Sequence, residues 1–405
     1  MTTRAVGRFE AALGVIGLAA LATTYVLITG RNPLAKVGDW LTRTGSLADP
    51  APAWTHRLDD QPTTATVTGG AIVFATRDGV EVRDAGTGRA LWSRGADSAA
   101  VAGDSVIVRT GGGYEVVDPT SGATRWRDSA SVVWTYRDAV LAISCPKECV
   151  LSRRSPVDGV AQWKAALPSG ARVLSSADRG GDLPPAVGLP VDGRLYVIDT
   201  ATGARLRQEQ PDADTRVSVL GGRIVRSTVV RRGDGCRFAV EGRDPASGRT
   251  IWKKDGYDLG TGCGQRRDPV SAGGVLTAVR ADDRPVALSV GDGRELWVGA
   301  PGETLLGTDG RYALVRAGRT ITVVDVAGGP RWSHELPAGA RARLTPYAVV
   351  VDDGPAGRVV GYDVAGGATL VDVATQGSAI GGGPGGLVLG RGRTVGFVPF
   401  AASAP

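Results

Sequence analysis

The residues able to do chemistry are few and scattered. Histidine occurs twice, at His56 and His334, in unrelated contexts. That excludes a His-rich metal site, and a Ser/His/Asp triad would have to use one of these two. The chain has no Gly-x-Ser-x-Gly elbow and no phosphate-cradling Walker loop. The glycine-rich runs 260–264 and 381–386 lack the following helix that a dinucleotide loop requires. Asp282-Asp283 and Asp352-Asp353 are expected in hairpin turns, where solvation and turn hydrogen bonds explain paired carboxylates better than a bound cation does. Four cysteines remain, Cys145, Cys149, Cys236 and Cys263, as metal ligands or as two disulfides. A Cys-x3-Cys pair without further nearby ligands is a poor zinc site.

Of 405 residues, 42% are apolar, enough for a packed core. Gly is 60 and Pro 23, high but short of low complexity. The net charge of +6 is dispersed, which gives no reason to expect nucleic acid. Residues 11–29 carry no charge. At 1.5 Å per residue a helix there spans roughly the 30 Å of a bilayer core. The apolar run continues past its small residues, so it reads as a retained anchor; a cleaved signal peptide is the alternative. The organisation expected is a cytoplasmic N-terminus over 1–10, a transmembrane helix over 11–29 and a juxtamembrane linker over 30–53. A globular domain over 54–400 and a tail over 401–405 follow.

Past residue 50, short β-branched runs alternate with Gly- and Asp-bearing turns, and helical periodicity is almost absent. A motif recurs: Asp, three residues, Gly, three residues, Trp. Asp84, Gly88 and Trp92 form one copy; Asp118, Gly122 and Trp126 another; Asp244, Gly248 and Trp252 a third. Weaker copies are Gly159 with Trp163, Asp199 and Gly203 with Arg207, Gly293 with Trp297, Asp325 with Trp332 after a one-residue deletion, and Asp363 and Gly367 with Val371. The period of roughly 34 to 45 residues is that of propeller blades. Asp and Ser or Thr bond turn amides, and Gly supplies the positive φ of a tight hairpin. The Trp then falls on the next strand, where its indole can cover a blade seam while its N–H finds a carbonyl.

These residues resemble the tryptophan-docking repeat of PQQ-like β-propellers, the family of quinoprotein alcohol dehydrogenases and of the assembly lipoprotein BamB. The resemblance spans about residues 54–400. It implies an all-β propeller of four-stranded blades in which the motif turn joins the third strand to the fourth. Nine repeat units are counted, and eight blades are expected. Strands near 378–381, 386–390 and 394–398 lack an outer strand, and Trp54–Arg57 is an outer strand without a blade, so the two ends should join and close the ring.

The enzymes of this family use adjacent cysteines, acidic and Asn ligands and an Asp base around PQQ and a cation. No two cysteines are adjacent here and the ligand set cannot be matched, so neither PQQ nor any other cofactor is expected. On the propeller strand pattern the four cysteines fall on one face, opposite the Asp-Gly turns. The most local of three connectivities pairs Cys145 with Cys149 and Cys236 with Cys263. Such bonds persist outside the cytosol. The function expected is a noncatalytic, membrane-anchored scaffold of the cell envelope, contacting envelope or membrane proteins. The long segments 177–193 and 253–270 are read as the recognition loops, with 257–267 on the contact face. A PQQ-dependent dehydrogenase-like enzyme and a ligand-sensing ectodomain are the alternatives.

Overall fold

The computed structural model describes residues 46–168, 177–178, 180–232, 235–260, 263 and 271–401. The expected cytoplasmic segment 1–10, the transmembrane helix 11–29, most of the linker and most of the tail lie outside the described residues. Among the described residues, no helix is long and apolar enough to cross a membrane. Leu47–Pro405 forms one compact unit.

The described elements are strands, arranged as a β-propeller. Burial explains their sequences. Second strands are covered on both faces and read as apolar runs: Ala71–Thr76, Ser105–Thr110 and Tyr312–Ala317 each hold four consecutive buried residues. Fourth strands have one dry face and alternate, as Ala161–Leu167 does with AQWKAAL. Gly at positive φ makes the tight turns: Gly69 and Gly70 join Pro62–Thr68 to Ala71–Thr76, for example.

Among the described residues the strands form nine antiparallel units in eight hydrogen-bonded sheets. The units span 62–95, 98–128, 132–167, 186–209, 215–255, 257–298, 304–335, 341–375, and 378–399 with 54–57. The sheet and unit counts differ because the first and last units share one eight-stranded sheet. Parallel pairing of Ala65 with Gly381 and Thr66 with Gly382 joins them. The ninth unit takes its outer strand from the other end of the chain: Trp54 pairs Phe397 and Arg57 pairs Thr394.

Several elements depart from the sequence reading. Ala48–Asp49 is a short strand on the outer edge of the eighth unit, paired with Thr375 and Ala374, and Leu47 is buried. The propeller therefore begins inside the segment read as linker; a two-residue strand leaves no periodicity to read. The fourth unit is not four-stranded. Its sheet holds Ala186–Val191, Arg194–Asp199 and Arg205–Glu209, while Ala177–Asp178 pairs with Trp134 and Thr135 of the third unit. Much of the expected loop 177–193 is thus strand. Asp352 and Asp353 end the strand Val349–Asp353 instead of occupying a turn. The turn begins at Gly354, and the Asp353 carboxylate accepts the Ala356 N–H at 3.2 Å. Cys263 lies in an excursion from the inner strand of the sixth unit, since Tyr257–Asp258 and Ser271–Ala272 both pair with Val275–Arg280.

Candidate functional site

The repeated residues build a socket at successive junctions. The third-to-fourth turn is fastened by its Asp. Asp84 Oδ1 accepts the Thr87 N–H at 2.8 Å and the Thr87 hydroxyl at 2.7 Å, while the Gly88 N–H reaches the Asp84 carbonyl at 2.8 Å. Asp118 with Ser121, Asp199 with Thr202 and Asp244 with Ser247 repeat this arrangement. These bonds favour the charged form, so all four carboxyls titrate below the usual range. Asp118 is held at about 2, first by the Ser121 amide and then by the Arg125 guanidinium.

The fourth strand of one unit delivers its Trp to the turn of the next. Trp92 Nε1 donates to the Pro119 carbonyl at 2.9 Å, Trp163 to Thr200 at 2.8 Å, Trp252 to Val290 at 2.8 Å and Trp332 to Val364 at 2.9 Å. Trp126 reaches Pro156 at 3.4 Å, and Trp54 reaches Ala85 at 2.9 Å across the chain-end junction. The acceptor is each time the residue after the Asp or Ser that opens the turn. The indole lies flat on the motif Gly: a methyl group at Gly122 would stand 2.7 Å from Trp92 Cγ, and one at Gly159 2.5 Å from Trp126 Cδ2. Gly is therefore needed for close approach as well as for its φ of 68° and 71°.

Three positions break the pattern. Arg207 replaces the Trp, and its guanidinium lies against Gly248, with Nη1 3.3 Å from the Ser247 carbonyl. Trp297 meets the shortened Asp325 turn, closed by Gly328 N–H to Asp325 O at 3.0 Å, and packs beside Val326 and Leu305. Val371 precedes the ninth unit, whose third and fourth strands come from opposite chain ends. No third-to-fourth turn exists there to receive a Trp.

The four cysteines form two disulfides, Cys145–Cys149 and Cys236–Cys263, with Cα separations of 4.0 and 5.7 Å. The first closes the hairpin between Val140–Ser144 and Cys149–Arg154. The second ties the hairpin Arg223–Arg232 and Gly235–Arg243 of the fifth unit to the excursion of the sixth. That hairpin is the longest in the molecule's described part, paired from Ile224 with Arg243 out to Arg232 with Gly235. Arg231 fastens its end by donating from Nε and Nη2 to the Cys263 carbonyl at 3.2 and 3.0 Å. Both disulfides sit at the second-to-third hairpins, opposite the Asp-Gly turns. Of the expected contact loop, Tyr257 to Gly260 and Cys263 are described; 261–262 and 264–267 lie outside the described residues. Burial, with the hydrogen bond it donates to Glu295, pushes the Tyr257 hydroxyl up to about 12.

At the other end, the first-to-second turns of several units surround an open cavity of about 1090 Å³. Trp134, Tyr136, Arg137, Leu220 and Arg311 are among its lining. Its charges are already engaged: Arg137 stands 3.5 Å from Asp182, and Asp309 accepts the Arg311 and Tyr312 amides at 2.8 and 2.6 Å. Sequence reading did not find this cavity, because its lining comes from turns far apart in the chain. Among the described residues, no group of three or more His, Cys, Asp or Glu side chains could hold a metal.

Residues 42–132 and 237–384 match the family described as outer membrane protein assembly factor BamB. No curated protein matches the chain. Among solved structures, that of the eukaryotic initiation factor is similar at 12% identity, covering 86% of this chain and 93% of that one, with a TM-score of 0.53. BamB from Moraxella catarrhalis matches at 17% identity over 80% of this chain and 96% of that one, TM-score 0.38. Quinohemoprotein alcohol dehydrogenase ADHIIG from Pseudomonas putida HK5 matches at 12% identity over 88% and 78%, TM-score 0.41. With more than half of its residues matched by the family model, and with that family's repeat built into its junctions, the chain belongs to the BamB-type PQQ-like propeller family.

Proposed function

We propose that this protein is a noncatalytic interaction scaffold of the cell envelope, tethered by residues 11–29 with its propeller outside the cytoplasm. The observation that carries the reading is the family match over residues 42–132 and 237–384. The two disulfides support an oxidising compartment. The best-repeated residues are spent on holding one unit to the next, while the longest described hairpin lies at the disulfide-bearing end. There Cys236–Cys263 staples the long hairpin of the fifth unit to the sixth. Rigidly held loops on a scaffold are suited to recognising a protein partner. In this reading the three-stranded fourth unit is the irregular one and the other eight are blades, the last closed with strands from both chain ends.

The residues present do not fit PQQ as the quinoprotein dehydrogenases hold it. All four cysteines are consumed in disulfides at the end away from the cavity, so no cysteine ring can cover a cofactor there. The cavity carboxylates Asp182 and Asp309 are committed to Arg137 and to backbone amides.

Photo-crosslinkers placed in the full-length protein in its native membrane test the reading. Crosslinks to envelope proteins are expected from Tyr257 and Arg237, and not from Gly70 or Gly222 at the opposite end. Protease added outside the cytoplasmic membrane should digest the propeller; its complete protection would overturn the topology. Micromolar PQQ binding with alcohol- or sugar-dependent reduction of an electron acceptor would overturn the noncatalytic reading.

A further inference from the structure

Most junctions between successive units are closed by an indole and an apolar cluster. The junction between the fourth and fifth units lacks the indole and has only a small apolar cluster. Arg207 occupies the Trp position, although the facing socket is intact: Asp244, Ser247 and Gly248 make the same turn as their counterparts elsewhere. Among the described residues, the buried apolar cluster here is Ala186, Val197 and Ile224, with Leu206, Val217 and Val219 partly buried beside it. By contrast, the third and fourth units share a cluster including Trp134, Leu141, Leu151, Leu189 and Ile198.

An ionic chain runs through this junction instead. Arg207 Nε lies 2.6 Å from Glu209, whose side chain is 4% exposed. Across the junction, Arg226 Nη1 lies 2.8 Å from the other Glu209 oxygen, and Arg226 Nε lies 3.4 Å from Glu241. Arg243 then meets Glu241 at 2.6 Å, and its own Nε is buried without a hydrogen-bond partner. Burying such charges costs desolvation free energy that the pairing only partly offsets, and salt screens them once the junction opens to water. A docked indole has neither liability.

We propose that this junction is an ionic joint, the point at which the propeller ring opens most readily. The cavity wall is divided by it: Trp134, Tyr136 and Val187 lie on the side of the third and fourth units, and Leu220, Val275 and Arg311 on the side of the fifth to seventh. Opening the joint therefore changes the width of the cavity, and ionic strength biases the opening.

Hydrogen exchange of the full-length protein, followed by mass spectrometry, tests this. The comparison is between about 0.1 M and about 1 M sodium chloride, across which the screening length falls from roughly 10 to 3 Å. Amides of Arg205–Glu209 and Thr215–Leu220 should exchange about fivefold faster at the higher salt. Gly329–Glu335 and Arg341–Leu344, at the Trp332 junction, should not respond. Glu209→Gln, which breaks the cross-junction pair with Arg226, should raise exchange at low salt to its high-salt level and so remove the response. An equal response at both junctions, no response in the wild-type protein, or a response that survives in Glu209→Gln would overturn the proposal. The wild-type comparison decides the matter even if a variant fails to fold.

Discussion

The indole and the glycine it lies on act as one device, and substitutions on either side separate its contributions. Trp252 is nearly buried and donates to the Val290 carbonyl. Trp252→Ala leaves a void between two units together with an unpaired carbonyl, and should cost about 3–5 kcal/mol in urea unfolding. Gly122→Ala adds only a methyl group, yet that methyl meets the Trp92 ring at 2.7 Å in a backbone with φ of 68°. It should destabilise by at least about 1 kcal/mol, and Trp92 fluorescence should report the displaced ring. The Asp of the same turn adds a pH dependence. The Asp118 pKa is depressed to about 2 from an unfolded value near 3.9, so its stabilisation is complete above pH 4. That contribution is lost as pH falls through 2. The urea midpoint of the wild type should exceed that of Asp118→Asn above pH 4, and the gap should close between about pH 4 and 2. A gap independent of pH would show that the carboxylate charge is not what holds the turn.

Strands and turns differ in how plainly their sequences announce them. The last three strands were readable because they are apolar runs between Gly turns, and they occupy Ser378–Gly383, Gly386–Arg391 and Thr394–Pro399. The docking motif was readable because Asp, Gly and Trp lie within nine residues of one another. The ionic chain was not, because Glu209, Arg226 and Glu241 meet only after three different strands pack. Ala48–Asp49 and Tyr257–Asp258 were missed for another reason: two residues cannot display an alternation of period two. The disulfides show the same division. Their common face followed from the propeller strand order and their pairing from proximity in the chain, while the interrupted inner strand that carries Cys263 followed from neither. Cys236–Cys263 closes a 27-residue separation and Cys145–Cys149 one of 4. Replacing the first pair by serines should cost about 3 kcal/mol, and replacing the second distinctly less. Denaturant midpoints of the two double variants check the order. Equal losses would mean that local packing, and not loop closure, sets the value of these bonds.

At the scale of the whole molecule, the chain ends have to find each other. Trp54–Arg57 supplies the ninth unit's outer strand, and Trp54 also fills the Gly88 socket of the first unit. One short segment thus completes a sheet and locks the junction that follows it. Parallel pairing at Ala65 and Gly381 fastens the same junction on its inner side. Cooperative unfolding of the ring should therefore depend on residues 54–57 far more than on the residues before 46. Removing residues 1–45 should leave the calorimetric melting temperature and enthalpy of the propeller unchanged. Removing 1–57 should expose the unpaired edge of Thr394–Pro399, empty the Gly88 socket and produce a broadened transition with aggregation. Trp54→Ala keeps the strand and empties only the socket, so it should fall between the two, at a cost of about 3–5 kcal/mol. A synthetic Pro52–Asp59 peptide added to the longer truncation should sharpen the transition again, since it restores both the strand and the indole. If the protein lacking residues 1–57 melts as sharply and as high as the one lacking 1–45, closure by the N-terminal strand is not what makes the ring cooperative, and the inner pairing at Ala65 and Gly381 must carry it.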